Sequence, residues 1–470
     1  ASAVKPSGSH CLALRSRSMQ RLLFACVLCC FWGRFESARV LPTTILKQGH
    51  SRYGGRLLRL HNEFGEHITT PFVRTLRGGG GRKLMIALCS WECLHTIAVG
   101  GVAPHVTELA AGMCRRGHEV HVFARAATCE GDFEVIDGVH IHRVPIELDS
   151  DFVNECNNMC NSFIWFLRET EHFMGCDFDI VHAHDWLAAK AVVQAKQFGR
   201  RCILTMHSTE YGRCGNSHCG GQSARIQAIE QEGCDYADMV IAVSGKLCDE
   251  VKWLYNCGHK LRMAYNAIHL SQYEGFVDCA EIKSRYGIAP MTPTILFVGR
   301  LAYQKGPDLL LEALPSVLST RSDAMAVFVG DGHLRADLIR RSEELGIQHA
   351  VRFLGSMTGE PLKELFKVAD CVCVPSRNEP FGIVVLEAWA CAKPVVVSSS
   401  GGPGEFVRHM EDGVHVYPET GSIAWGLREV LSNFEHARRM GEAGQGRCRH
   451  DFTWDRVAEQ TEGFYFEALQ

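Results

Sequence analysis

The sequence has little excess charge of either sign and no long apolar run. Its 49 lysine and arginine residues nearly balance 53 aspartate and glutamate residues, and the formal net charge is −4. Nucleic-acid-binding chains usually carry a basic excess, so the charge balance does not indicate such a partner. The apolar run from Leu22 to Trp32 is much shorter than the roughly 20 residues that a membrane-spanning helix needs. We therefore expect neither a nucleic-acid partner nor a transmembrane span.

The overall composition is that of a folded globular protein. The chain has 470 residues, of which 46% are hydrophobic and 22% are charged. These fractions exclude a disordered chain, a coiled coil and a polytopic membrane protein. At roughly 150 residues per domain, the length predicts two or three domains.

Cysteine and histidine provide no complete metal site in the sequence. The 22 cysteines are scattered, and a chain of this length needs no disulfides to hold its core, so we expect mostly buried, reduced thiols. Cys214, His218 and Cys219 lie close together, but a zinc site needs about four ligands and no second pair matches. For His182 and His184 we expect opposite faces of a strand and no third ligand. The sequence therefore predicts no bound metal.

The N-terminal end differs from the rest of the chain. Residues 1–35 contain no Asp or Glu but several basic residues and the apolar run described above. This pattern is typical of a targeting segment, and the alternatives are an unstructured extension or an upstream sequence outside the mature fold. The Gly-rich stretch Arg77–Arg82 reads as a linker, so we assign residues 1–82 to an extension and linker. The expected location is cytoplasmic or organellar, with a plastid or the secretory route as possible destinations.

The rest of the chain alternates strands and helices in two blocks. Continuous apolar runs such as Leu84–Cys89 and Ile295–Gly299 are typical of parallel strands buried on both faces. Helical patterns follow, for example over Pro104–Cys114 and Asp308–Leu318. Strands alternating with helices throughout predict an α/β fold of doubly wound parallel sheets. The blocks meet around Asn266–Tyr273, so we expect two Rossmann-like domains, residues 83–265 and 266–452, which face each other across a cleft.

Two cations in the second block indicate an anionic ligand. Arg300 and Lys305 flank the loop that follows the predicted strand Ile295–Gly299. Cations at the carboxyl end of a parallel strand can reach one anionic group, and a diphosphate fits best. The alternative is a solvated basic loop.

Two glutamates eight positions apart indicate an extended ligand. Glu379 and Glu387 lie around a predicted helix start, with α-carbons about 12 Å apart at 1.5 Å per residue. This is too far for a glycosidase acid/base pair, for which about 5–9.5 Å is usual. The backbone amides of Phe381, Gly382 and Ile383 are expected to point at ligand oxygens. A glycine-rich turn at residues 400–405 provides further access to the backbone.

These motifs resemble the retaining nucleotide-sugar glycosyltransferases of glycosyltransferase family four, close to the glycogen and starch synthases, which have the GT-B fold. The most specific match is the Glu-x7-Glu element in PSRNEPFGIVVLEAWACAKPVV, and the others in chain order are VGGVAPHVTELAAGMCRRGHEVHVF, DIVHAHDWLAA, LTMHSTEYG and VGRLAYQKGPDLLLEAL. The final segment, 453–470, resembles the terminal helix that crosses back to the first domain. The resemblance extends from about Lys83 to the C-terminus.

The resemblance implies roles for the donor side of the site. Arg300 and Lys305 would neutralise the leaving nucleoside diphosphate. Glu379 would orient the donor sugar, and Glu387 would bind the ribose hydroxyls. Amides of the first domain would also reach the diphosphate, at Gly100 and Gly101.

The resemblance also implies roles for the acceptor side. His207 would lie beside the sugar near the anomeric carbon, and Asp185 matches an acidic residue near the acceptor. Glu210 and Tyr211 would line the same side. Catalytic roles are thereby implied for His207, Glu379, Arg300, Lys305 and Asp185.

The activity implied is transfer of a hexose, expected to be glucose, from UDP-glucose or ADP-glucose to a carbohydrate acceptor, with retention and without a cofactor. Bacterial glycogen synthases carry a lysine two residues before the glycine pair, where this chain has Ala98, which weighs against glucan elongation and against ADP-glucose as the donor but not against a transferase. The alternatives are a small or lipid-linked acceptor such as inositol phosphate or sugar phosphate, a sugar-nucleotide epimerase, and a non-catalytic sugar-nucleotide binder.

Overall fold

A computed structural model of the protein describes residues 82–128 and 130–470. The expected targeting segment lies outside these residues. None of the described helices is both long enough and apolar enough to cross a bilayer.

The first domain is built on an eight-stranded sheet with the strand order β3-β4-β2-β1-β5-β6-β7-β8. All six residues of its central strand, Met85–Ser90, are buried, as expected for a parallel strand covered on both faces. The strands are β1 Met85–Ser90, β2 Glu119–Arg125, β3 Asp132–Ile136, β4 Val139–Val144, β5 Ile180–His184, β6 Arg201–Met206, β7 Met239–Ala242 and β8 Leu261–Met263.

One strand of this sheet runs against the others. β3 pairs antiparallel with β4, and Ile136 faces Val139 across a two-residue turn. The turn residues Asp137 and Gly138 have φ angles of 51° and 81°, which a tight hairpin turn of this kind requires. The expectation of parallel strands throughout is therefore wrong at this edge. The Asp-Gly pair is the sequence signal for the hairpin.

The second domain is built on a six-stranded sheet in which every pairing is parallel, with the order β11-β10-β9-β12-β13-β14. Its strands are β9 Thr294–Val298, β10 Met325–Val329, β11 Val351–Gly355, β12 Cys371–Val374, β13 Val395–Ser398 and β14 Val414–Val416. The predicted α/β fold with two Rossmann-like sheets is confirmed, and the order has its switch point between β9 and β12, where such sheets bind ligands.

Helices connect the strands and cover the sheets. In chain order they are α1 Val102–Arg115, α2 Phe152–Met174, α3 Asp185–Gln197, α4 Glu210–Arg213, α5 Gln222–Tyr236, α6 Gly245–Tyr255, α7 Cys279–Arg285, α8 Pro307–Leu318, α9 Arg335–Glu344, α10 Glu360–Val368, α11 Ile383–Ala390, α12 Pro403–Phe406, α13 Thr420–Ser432, α14 Phe434–Asp451 and α15 Trp454–Ala468. Each domain has its own apolar core between sheet and helices.

The last helix packs on the first domain. Trp454, Val457 and Tyr465 of α15 belong to the same buried cluster as α1 and the first sheet. The chain therefore crosses between the domains twice. The two crossings lie side by side, because the amide of Ile268 donates to the carbonyl of Phe452 at 3.2 Å.

Candidate active site

The loops after β9 and β10 pack backbone to backbone at the carboxyl edge of the second sheet. The amide of Leu301 donates to the carbonyl of Asp331 at 2.9 Å. A Cβ atom on Gly330, which has a φ of +137°, would lie 1.9 Å from the carbonyl oxygen of Gly299. Glycine is therefore required at position 330. The Gly330-Asp331-Gly332 turn therefore supports the loop that carries Arg300 and Lys305.

Lys305 and Glu379 form an ion pair. The Lys305 ammonium donates to both carboxylate oxygens of Glu379, at 2.8 and 2.9 Å. The Ser376 hydroxyl donates to the same carboxylate at 2.8 Å. Glu379 is only 8% exposed, so these hydrogen bonds replace the contacts with water that burial removes. The two residues that the motifs place on the diphosphate and on the sugar are thus adjacent before any ligand binds.

Arg377 fixes the position of the loop that carries Arg300 and Lys305. Its guanidinium binds both carboxylate oxygens of Asp308, at 2.8 and 2.6 Å, and lies 3.8 Å from the centre of the Tyr303 ring. It also donates to the Tyr303 carbonyl. Arg300, by contrast, is exposed, and its guanidinium donates to the Gln304 side chain at 2.9 Å. Arg300 is therefore accessible to an incoming anion.

The turn before α11 is fixed by its neighbour after β13. Glu379 and Gly401 form an isolated parallel bridge, and the Glu379 carbonyl accepts from the amide of Gly402 at 2.8 Å. At Gly401, with a φ of +106°, a Cβ atom would lie 2.2 Å from the Glu379 carbonyl oxygen. The helix starts at Ile383 after Gly382. The Phe381 side chain is buried and Gly382 has none, so these two residues can offer only their backbone to a ligand.

Glu387 lies one turn into α11 and accepts a hydrogen bond from the Tyr273 hydroxyl at 2.9 Å. Burial raises the pKa of Glu387 to about 7, although the Tyr273 hydrogen bond and the charge of Lys363 act in the opposite direction. A carboxyl that titrates near neutral pH at a cleft is a candidate ligand-binding group.

Three histidines meet at the carboxyl edge of the first sheet. Nδ1 of His184 and Nε2 of His207 lie 3.2 Å apart. His105, on α1, contacts the His207 ring edge-on with centroids 4.7 Å apart, and its Nδ1 donates to the Asn266 side chain at 2.6 Å. Burial lowers the pKa of His105 to about 4 and that of His207 well below its ordinary value. These rings are therefore neutral at pH 7.

The histidines correct one expectation. His182 and His184 lie on the same face of β5 with ring centroids 4.3 Å apart, because residues two apart along a strand point the same way. His105 and His207 also supply the further ligands that the sequence did not reveal: His105, His184 and His207 bring possible metal-ligating atoms within 4.8 Å of one another. The hydrogen bonds just described already occupy one nitrogen of each ring.

A second group of possible ligands, Glu119, His121 and His140, lies at the hairpin edge. The rings of His121 and His140 stack with an interplanar angle of 8°, and a ligand atom of each lies within 4.8 Å of the Glu119 carboxylate. Cys214, His218 and Cys219 belong to neither group. The absence of a metal cofactor stays a prediction.

Asp185 begins α3 with a φ of +61°, an uncommon value for a residue other than glycine. Burial raises the pKa of its carboxyl, and the charge of Arg213 opposes the shift. Arg213 lies 3.9 Å from Asp185 and 2.6 Å from the fully buried Glu230. This strained, desolvated acid lies next to His184, at a position where the strand edge meets the cleft.

The side chains of Glu210 and Tyr211 have different surroundings. The Glu210 carboxylate turns inward, where it accepts from Arg213 at 2.8 Å and from Ser223 at 2.7 Å. Glu210 therefore supports the buried ion cluster instead of lining a cleft, contrary to our expectation. Tyr211, one residue later, is half-buried and contacts the exposed Trp253 edge-on, with ring centroids 5.2 Å apart.

The glycine loop before α1 is held by a residue that our sequence analysis missed. The Glu92 carboxylate accepts from the amides of Val99 and Gly100 at 2.7 and 2.8 Å. The Gly100 amide is therefore engaged within the protein, and its predicted contact with a diphosphate would require that bond to exchange. An acid directly after a buried strand is the signal that could have revealed Glu92.

The two domains touch at this same place. A Cβ atom on Gly101 would lie 3.9 Å from Cγ2 of Ile383, so the glycine loop faces the start of α11. Asn378 donates to Asn216 at 2.7 Å and to Glu250 at 3.0 Å. The donor-side residues of the second domain thus lie opposite the histidines and the glycine loop of the first.

Two family matches cover the described chain in succession. Residues 99–272 match the family described as Glycosyltransferase Family 4, and residues 278–447 match Glycosyl transferases group 1. A glycosyltransferase of Methanocaldococcus jannaschii, itself uncharacterized, is 35% identical over 82% of this chain and 99% of its own. The chain belongs to glycosyltransferase family four. The glycogen synthase of Mycobacterium tuberculosis is 30% identical over 82% of this glycosyltransferase and 95% of its own length.

Solved structures share the fold. The catalytic domain of starch synthase IV from Arabidopsis thaliana, bound to ADP and acarbose, superposes with a TM-score of 0.68 at 16% identity, over 82% of this chain and 99% of that one. Sucrose-phosphate synthase from Thermosynechococcus elongatus gives 0.66 at 22% identity, over 81% and 98%. The GT-B assignment is thereby confirmed.

Proposed function

We propose that this glycosyltransferase moves a hexose, in the first instance glucose, from a nucleoside-diphosphate sugar to a carbohydrate acceptor with retention at the anomeric carbon. The observation that carries the proposal is the Lys305–Glu379 pair, because it joins a cation for the leaving diphosphate to a carboxylate for the sugar within 2.8 Å. Similarity to the Mycobacterium glycogen synthase supports glucose and a glucan acceptor.

In the proposed reaction the second domain stabilises the leaving diphosphate, and the first domain borders the sugar and the acceptor. In the proposed reaction the bond between the anomeric carbon and the diphosphate oxygen breaks, and the charge that develops on the diphosphate is stabilised by Arg300 and Lys305. Arg300 is exposed for this contact, whereas Lys305 would share its ammonium between Glu379 and phosphate. No metal is needed where two cations occupy the phosphate position.

Retention requires either a covalent intermediate or attack on the face that the leaving group departs from. We propose the second route, with a departing phosphate oxygen taking the acceptor proton. His207 would border the reacting sugar, and its side chain is neutral and bonded to His184. Asp185 would face the acceptor, as would the edge of Tyr211, and Glu387 would bind the nucleotide ribose.

A small acceptor is the alternative, and a specific similarity favours it. The D-inositol 3-phosphate glycosyltransferase of Jonesia denitrificans is 30% identical over 78% of this chain and 92% of its own. This identity is the same as that of the glycogen synthase, so the acceptor must be determined by experiment.

Nucleotide release by the purified full chain tests the proposal. UDP-glucose and ADP-glucose would be supplied separately, each with glycogen, with inositol phosphate, or alone. Release that depends on glycogen, with label entering polymer, is expected for a glucan synthase. Release that depends only on inositol phosphate would identify the alternative. Absence of release with every acceptor, despite donor binding, would contradict transfer and favour a binding protein.

A lysine variant tests the proposed phosphate role. We expect Lys305→Ala to lower turnover by about a hundredfold or more, as the loss of a preorganised charge at a developing anion does. Lys83→Ala is the matched control, because Lys83 is half exposed at the amino end of β1 and pairs with Glu119 at 3.0 Å. Equal turnover in the two variants would remove the role assigned to Lys305.

A further inference from the structure

Three aromatic side chains, one half-buried and two exposed, form a group beside the predicted acceptor side. We call Tyr211, His218 and Trp253 the aromatic platform. Tyr211 contacts His218 with ring centroids 5.1 Å apart and Trp253 at 5.2 Å, and His218 lies 6.1 Å from Trp253. The rings are tilted by 42° to 69° relative to one another, so together they present ring faces and ring edges in several directions.

The exposure of this surface needs an explanation. Trp253 is 63% exposed, although it is among the largest apolar side chains that a protein can bury. Clustered exposed aromatic rings, unlike single ones, mark binding sites on soluble proteins. Nothing in the core would be lost if position 253 were polar, so packing does not account for the tryptophan.

Hydrogen bonds tie the platform to the transfer site. Trp253 lies one turn after Glu250 on α6, and Glu250 accepts from the Thr209 hydroxyl and from Asn378. Asn378 directly precedes Glu379 in the chain. A Cβ atom on Gly212, next to Tyr211, would lie 3.0 Å from the Asn378 side chain. The platform therefore borders the cleft on the acceptor side of Glu379.

We propose that the aromatic platform is an acceptor subsite, which binds a pyranose ring of a glycan one or more units away from the hydroxyl that is glycosylated. This inference rests on the proposed function and names its acceptor class as an oligosaccharide or polysaccharide. A pyranose ring presents an apolar face of C–H groups that stacks on an aromatic ring. The polar edges of Tyr, His and Trp rings can in turn hydrogen-bond the surrounding hydroxyls.

Binding of maltoheptaose to the full chain, measured by calorimetry without donor, tests the subsite. We expect Trp253→Ala to weaken the affinity about tenfold, which corresponds to the loss of about 1.4 kcal/mol. Trp253→Phe should restore most of it, because phenylalanine retains a stacking face. In turnover with maltoheptaose, the acceptor KM should rise in Trp253→Ala while the donor KM does not change.

The matched control is Trp165→Ala. Trp165 is also an exposed tryptophan, 43% exposed, but it lies on α2 against Phe166. Equal maltoheptaose affinity in Trp253→Ala and Trp165→Ala would overturn the platform, as would a wild-type chain that does not bind maltoheptaose. If inositol phosphate still supported nucleotide release, the transferase proposal would survive that result. Platform-dependent glycan binding without any nucleotide release would instead refute the transferase proposal alone.

Discussion

At the scale of single residues, the site is organised by buried carboxylates that each accept hydrogen bonds from more than one partner. Glu379 divides its carboxylate between Lys305 and Ser376, and Glu92 divides its own between two backbone amides. Each of these acids is almost wholly buried, so its hydrogen-bond donors replace the contacts with water that burial removes. A ligand that enters the cleft must therefore replace existing hydrogen bonds with equivalent ones.

Glu387 makes donor binding dependent on pH. Its pKa is raised to about 7 by burial, so the carboxylate that would accept ribose hydroxyls forms as pH rises through about 7. We expect the donor KM to be lower at about pH 8 than at about pH 6. Tyr273→Phe removes the hydrogen bond that favours the charged form and should shift the midpoint of this profile upward.

The measurement is the donor KM across that pH range for both proteins. Lys83→Ala serves again as the control, and its midpoint should match that of the wild type. A wild-type donor KM that does not vary with pH would contradict the role given to Glu387, and an unshifted midpoint in Tyr273→Phe would contradict the coupling.

At the scale of elements, α14 shows how closely a helix can approach its neighbour. A Cβ atom on Gly444 would lie 2.2 Å from Cδ1 of Trp389, and one on Gly441 would lie 2.0 Å from the Ala392 carbonyl oxygen. Trp389 is fully buried on α11, and its Nε1 donates to the Asp412 carbonyl at 2.8 Å. These small residues allow α14 to pack closely against α11, the helix that carries Glu387.

Two glycines of the same helix should respond oppositely to alanine. Gly444→Ala forces the Trp389 ring to move and should destabilise the protein by about 1–3 kcal/mol. Gly446→Ala meets open space and should stabilise it by about 0.5–1 kcal/mol, since alanine favours the helix. Thermal unfolding of both variants is the measurement. A Gly444→Ala melting temperature equal to that of the wild type would show that α14 does not pack this tightly.

At the scale of the whole molecule, the two domains are fastened at the edge of the cleft. The Glu405 carboxylate of the second domain accepts from the amides of Gly245 and Lys246 at 2.8 Å each, at the start of α6 in the first. The Ser244 hydroxyl donates to the Pro380 carbonyl at 2.5 Å. An anion at a helix N-terminus is favoured by the helix dipole, so these bonds stabilise the contact between the two domains.

Removing this fastening should open the cleft. We expect Glu405→Ala to increase the radius of gyration in X-ray scattering and to lower kcat by about tenfold, because closure assembles the two halves of the site. Glu411→Ala is the control, since Glu411 is exposed and lies 3.8 Å from Arg408. An unchanged radius of gyration together with wild-type kcat would show that Glu405 does not govern closure.

Periodicity and motif spacing in the amino-acid sequence were sufficient to predict the parallel strands and the loops that carry the donor chemistry. Buried parallel strands leave continuous apolar runs such as Leu84–Cys89, and ligand loops follow their carboxyl ends, so Arg300, Lys305 and Glu379 could be located without coordinates. The Asp137-Gly138 hairpin was equally readable and was overlooked.

Only the tertiary structure decided which partner each polar side chain takes. Glu210 turns to Arg213 and Ser223, and the Gly100 amide is taken by Glu92. Trp253 contacts Tyr211 although a helix and a strand, α5 and β7, separate their two helices along the chain. Hydrogen bonds and ring contacts depend on side-chain direction and on distances between remote segments. Sequence periodicity fixes neither of these, because it reports only which face of its own element a residue occupies.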